Sequence, residues 1–269
     1  MCDNGAMPDF YYWGGPVYCK QADNLAWQRE TKVYCNPLEG SSNGAFFSSL
    51  GQDPLAALLA KAGLDPAQVG SIGFGGFSAF HGFLNPMLAI PAVCERTNYV
   101  HLADACFGGA GATEPKSGYL AFAKRAVAGQ ARMTVTTNGP WGKDISYAGP
   151  AGSKYEGTQF NLTSGAKCFQ AVWDAAAGSY GGDPELPEGL PPPQRAYRRG
   201  ELYWWHYETG LTDPHAGHVT TLAQPIMQMY GVPWMASPSS AMKLPVNWLA
   251  AAAGAVAGYL AGKWYVSNR

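Results

Sequence analysis

The segment Val69-Gly-Ser-Ile-Gly-Phe-Gly-Gly-Phe-Ser78-Ala-Phe-His-Gly82 constrains this chain more than any other. A short apolar run ends in Gly76-Phe-Ser78-Ala, and an apolar, helix-compatible stretch with Phe83, Leu84, Met87, Leu88 and Ile90 follows at once. A serine at a sharp strand-to-helix turn has its Oγ lifted above the sheet, and the helix N-terminus offers backbone N–H groups to a developing oxyanion. Such a serine needs a base and an acid from later parts of the chain.

The chain around it alternates strands and helices. Asp9 to Pro16 reads as an aromatic strand closed by a Gly14-Gly15 turn, and Lys32 to Pro37 as a second strand before a polar loop, Glu39 to Asn43. Asp53-Pro54 opens a helix with Leu55, Leu58 and Leu59 on one face, and Gly63 stops it. Tyr99 to Asp104 is a strand ending on a carboxylate, followed by a Gly-rich loop and a helix through Leu120, Phe122 and Val127. Arg132 to Thr137 is β-branched and closes at Asn138-Gly139. The segment from Pro140 to Phe160 reads as long and irregular, with the composition of a lid. A helix near Ser164 to Ala177, a Pro/Gly/Glu loop over 181–194, an aromatic strand Glu201 to Glu208 and a helix from about His218 complete the pattern. Strands and helices in this order imply an α/β fold, a mostly parallel sheet with flanking helices. Ligands bind beyond the carboxyl ends of such strands, where Ser78, Asp104, Asn138 and the loop after Glu208 all fall.

A chain of 269 residues can bury one full core, assigned here to residues 1–236. Residues 237–243 read as a linker. Residues 244–266 are apolar all round, with Gly254, Gly258 and Gly262 along one helix face, so a C-terminal apolar helix is expected. It would serve as a membrane anchor or as a buried or self-associating helix. A net charge of −1 with only 14% charged residues argues against nucleic acid as partner. No secretory signal is visible, so a cytoplasmic or membrane-associated location is expected, with free thiols at the six scattered cysteines; a Cys19–Cys35 bridge is the alternative.

Three segments, Gly76-Phe-Ser78-Ala, Leu102-Ala-Asp104 and Asp213-Pro-His215-Ala-Gly-His218-Val, resemble the α/β-hydrolase superfamily over roughly Phe10 to Tyr230. The resemblance implies a serine hydrolase acting on a small-molecule ester or amide, without cofactor or metal. Ser78 would be the nucleophile, His218 the general base and Asp104 the acid. Asp144, just past the next strand, is the alternate acid, and His215 the alternate base. The oxyanion donors would be the Ala79 N–H and the Gly14-Gly15 turn.

One position departs from the superfamily's G-x-S-x-G elbow: the residue two after the serine is Phe80, with glycine only at Gly82. The turn is then either widened or distorted. Together with the short region before the elbow and the glycine-zipper tail, this departure favours the rival reading, an inactive hydrolase-fold scaffold within a membrane-bound or virion-like assembly. His81, His101 and His206 read as structural, and His215-x-x-His218 lacks a third ligand at metal spacing. Tyr12, Trp13, Trp141, Trp204 and Trp205 could wall an apolar pocket.

Overall fold

A computed structural model describes residues 9–14, 31–36, 42–109, 114–140, 142–148 and 159–235. Strands β1 (Asp9–Gly14), β2 (Thr31–Asn36), β3 (Ile72–Phe77), β4 (Thr97–Ala103), β6 (Arg132–Asn138), β9 (Arg195–Arg199) and β10 (Leu202–Tyr207) form one sheet. Its order is β2-β1-β3-β4-β6-β10-β9. Every pairing is parallel except that of β9 on β10. The expected α/β fold with a mostly parallel sheet is the one observed.

Strand residues alternate between two buried faces, as the period of two requires. Phe10, Tyr12, Phe74, Leu102, Val135 and Trp204 pack on one side, in the core shared with helices Pro54–Lys61, His81–Leu88, Ser117–Val127 and Gly165–Ala176. Tyr11, Trp13, Tyr99 and Ala103 face the other side with Val219, Ala223 and Met227, and Tyr203, Trp205 and Tyr207 meet Leu222, Ile226 and Tyr230 there. That second side is covered by one helical run over 218–235, π-wound at His218–Ala223 and Met227–Gly231. Arg132 fastens the run to the sheet. Its Nη1 donates to the Tyr230 carbonyl at 2.9 Å, its guanidinium lies 4.7 Å from the Trp234 ring centroid, and Glu201 neutralises it at 2.6 Å.

Several local features differ from the sequence reading. Ser42–Ser49 is a helix that a Gly/Ser-rich composition hid, since Phe46 and Phe47 pack on the core and outweigh weak propensity. The segment after Pro140 is not wholly irregular: β7 (Asp144–Ala148) and β8 (Gln159–Thr163) pair antiparallel, and the short β5 (Gly108–Gly109) joins them in a second sheet. The strand β9 was hidden in its arginines; charge on an edge strand discourages pairing with other chains.

The expectation of free thiols is also corrected. Cys106 and Cys168 form a disulfide, with Cα atoms 5.7 Å apart, joining the loop after β4 to helix Gly165–Ala176. Among the described residues Cys94 is a free, buried thiol. Cys19, the 237–243 linker and the 244–266 helix lie outside the described residues; within them, no helix is long and apolar enough to cross a membrane.

Candidate functional site

Ser78 follows β3 directly and opens a three-residue 3-10 turn, Ser78–Phe80, that runs into helix His81–Leu88. Its φ is +54°, in the left-handed region that a side chain occupies only at a cost of about 1–3 kcal/mol. Ala79 comes next, in the first turn of that helical run, where backbone N–H groups have no partner within the helix.

Asp104 follows β4, is fully buried, and also has a positive φ, +45°. Its Oδ1 accepts the Asn138 backbone N–H at 3.1 Å, and its Oδ2 lies 2.6 Å from His215 Nδ1. The carboxyl has no room to shift: a Cβ added to Gly165 would stand 2.3 Å from Oδ1.

His215 completes the set, with Nε2 2.9 Å from Ser78 Oγ. A carboxylate only accepts, so Nδ1–H donates to Asp104 and Nε2 is left to accept the serine proton. The loop that carries His215 is built from short-range contacts. Asp213 Oδ1 accepts the His215 and Ala216 backbone N–H groups at 2.9 and 2.8 Å, and these bonds hold its carboxyl below the usual range. Asn138 Nδ2 donates to the Pro214 carbonyl at 2.6 Å, so one residue steadies both the acid and the histidine loop. The imidazole sits between rings, 4.4 Å from Phe77 and 5.8 Å from Phe107 by centroid.

The structure thus brings Ser78 and Asp104 together with His215, the alternate base of the sequence reading, and not with His218. His218, favoured as base, is fully buried on the sheet side of the 218–235 run, edge-on to Tyr207, and bonds neither Ser78 nor Asp104. A readable signal existed. His218 shares its spacing with Leu222 and Ile226, the apolar stripe of that run, whereas His215 precedes the stripe. Asp144, the alternate acid, is an exposed residue of the small sheet paired with Lys167 at 2.9 Å. Tyr12, Trp13, Trp204 and Trp205 are core residues with at most 1% exposure and wall no pocket. Gly14 ends β1, paired with Asn36 and Gly76. Gly15 and Trp141 lie outside the described residues.

Phe80 closes the short 3-10 turn with its side chain fully buried. Its ring lies over the paired glycines of the adjoining strands: a Cβ at Gly14 would fall 1.8 Å from it and one at Gly76 1.9 Å. Room is provided by the sheet instead of by a small residue in the helix.

The buried histidines give the site's surroundings a defined response to acid. Burial foremost, with the charge of His218 second, pushes His101 down to about 3; burial pushes His218 down to about 4. An unfolded histidine takes up its proton near pH 6.5, the folded ones only near 4 and 3. Between these values the unfolded chain binds more protons, so the stability present above pH 6.5 is lost as pH falls through about 4 and then 3. Each group is worth on the order of 3–5 kcal/mol at full effect. The urea midpoint should thus fall steeply between pH 6.5 and 4, and His218→Leu should flatten part of the slope. A midpoint constant over that range would contradict the burial of these imidazoles as neutral groups.

Among the described residues no group of three or more histidine, cysteine or carboxylate side chains converges as a metal site. No protein-family model matches the chain, and no curated protein matches it. Among solved structures, the chain is similar to LpqC, a poly(3-hydroxybutyrate) depolymerase from Bordetella parapertussis. The likeness covers 81% of this chain and 76% of that one, at 14% identity and a TM-score of 0.40.

Proposed function

We propose that this chain is a serine hydrolase that cleaves a carboxylic ester, or an amide, through an acyl-enzyme at Ser78. One observation carries the reading. A serine held at φ +54° meets His215 Nε2 at 2.9 Å, and the opposite ring nitrogen meets a buried aspartate at 2.6 Å. A serine hydroxyl is a poor nucleophile at neutral pH, and this relay is what activates it.

In the proposed cycle, Ser78 Oγ attacks the substrate carbonyl while His215 Nε2 takes its proton. The Ala79 N–H, with the end of β1 at Gly14 alongside, stabilises the oxyanion of the tetrahedral intermediate. The C–O bond to the leaving alcohol breaks as His215 returns the proton to it. Water then attacks the acyl group, His215 again taking and returning a proton, and Ser78 is released. Asp104 keeps the imidazole in the tautomer that can accept at Nε2 and balances the imidazolium that forms. The scaffold alternative drew on Phe80, on the short region before the elbow and on the glycine-zipper tail; the seating of the Phe80 ring over Gly14 and Gly76 supports the catalytic reading on the first of these.

The test is covalent. A fluorophosphonate should add to the native protein at Ser78, read by intact mass and peptide mapping, and add nothing to Ser78→Ala. Absence of labelling in the folded wild-type chain would sink the hydrolase reading and leave the scaffold.

A further inference from the structure

We infer that Phe80 is a positioning residue whose ring, seated across the Gly14–Gly76 pair, holds the Ser78 turn in its left-handed form and so fixes where Oγ meets His215. The inference rests on the serine-hydrolase reading, because its effect is read out at Ser78.

The ring is enclosed on every side. Gly14 and Gly76 are register partners on adjacent strands, and both would place a Cβ inside the Phe80 ring. Tyr12 and Phe83 pack around it, with centroids 5.8 and 5.0 Å away, and Phe80 has no exposed surface. Strand β3 anchors one end of the turn through its ladders to β1 and β4. The ring anchors the other end, two residues beyond the serine. A residue strained at φ +54° relaxes unless its surroundings over-determine it. Here relaxation at Ser78 would have to drag the ring out of its slot between two strands. In this chain a small residue at position 80 would leave the space over Gly14 and Gly76 empty and remove the contact that holds this end of the turn. The same ring also lies against the end of β1, so Gly14 and the Ser78–Phe80 turn share one contact.

The consequence is a specific coupling. Phe80→Ala should lower kcat on a p-nitrophenyl ester about 10- to 100-fold, the loss that a displacement of about 1 Å brings, with KM within about threefold. The rate of fluorophosphonate labelling per folded molecule should fall in parallel. Phe80→Leu, which keeps most of the bulk, should recover most of both. Gly14→Ala should impair the enzyme at least as much as Phe80→Ala, and the double variant should be more active than Gly14→Ala alone, because the new methyl enters the room the ring has left. Circular dichroism confirms folding; if Phe80→Ala does not fold, Phe80→Val takes its place with the same expectation. The inference is overturned by a folded small-residue variant that labels and turns over at the wild-type rate, by a loss confined to KM, by leucine performing no better than alanine or valine, or by strictly additive Gly14 and Phe80 effects. Failure of the wild-type chain itself to label is a different result, and it removes the hydrolase reading underneath.

Discussion

His215→Ala should reduce kcat/KM for an ester by about 10⁴- to 10⁶-fold, the range found when a serine hydrolase loses its base, while His218→Leu should stay within about tenfold of wild type. The contrast comes from geometry. His215 spans the gap between Ser78 Oγ and Asp104 Oδ2 with one hydrogen bond from each ring nitrogen, and no other histidine reaches the serine among the described residues. Without the imidazole the hydroxyl keeps its proton, and the oxyanion donors and substrate binding alone sustain the residual rate. The His218 ring bonds neither Ser78 nor Asp104 and is buried edge-on against Tyr207, so leucine of similar bulk removes a buried polar group without opening a large cavity. The measurement is steady-state kinetics on both variants alongside phosphonate labelling. A greater loss at His218 than at His215 would refute the assignment.

The exchange of these two histidines marks how far the sequence could be read. The parallel core was legible because β6 and β10 are β-branched or aromatic runs and β3 and β4 short apolar ones, and Ser78, Asp104 and the His215 loop fall at their carboxyl ends. Which of two histidines three residues apart faces the sheet is a question of helix phase. The helix starts only at His218, so His215 belongs to the Asp213-capped turn and not to the buried stripe. The small sheet escaped notice because β7 and β8 draw their order from pairing with each other and with Gly108–Gly109, not from a hydrophobic pattern of their own. The Cys106–Cys168 bridge joins residues 62 apart, and only the fold brings them within range. Phe80 looked like a defect because the glycines that accommodate it are not at the position after the serine: Gly76 precedes the serine on β3 and Gly14 lies on β1.

Asp104→Asn should cost about 10⁴-fold in kcat with little change in fold, and Asp144→Asn less than about twofold. The amide is isosteric, and its oxygen can still accept the Asn138 N–H that Oδ1 accepts now. Its NH₂ would then face His215 Nδ1, where a carboxylate oxygen lies at 2.6 Å. A donor there turns the imidazole to the tautomer with its proton on Nε2, which can donate to Ser78 but cannot take the serine proton. The loss therefore falls on the chemical step and on phosphonate labelling, not on ester binding. Asp144 is itself exposed and pairs with the half-buried Lys167 ammonium, an ion pair of the kind that contributes at most about 1 kcal/mol, and removing its charge leaves the imidazole untouched. Stability separates the two sites as well. Gly165 leaves the Asp104 carboxyl no space to move, so even an isosteric amide must exchange its partners in place, while an exposed Asp144 can lose its partner to water. If Asp104→Asn retains more than a tenth of wild-type turnover, the imidazole is being oriented by some other group and the relay proposed for Ser78 does not run through Asp104.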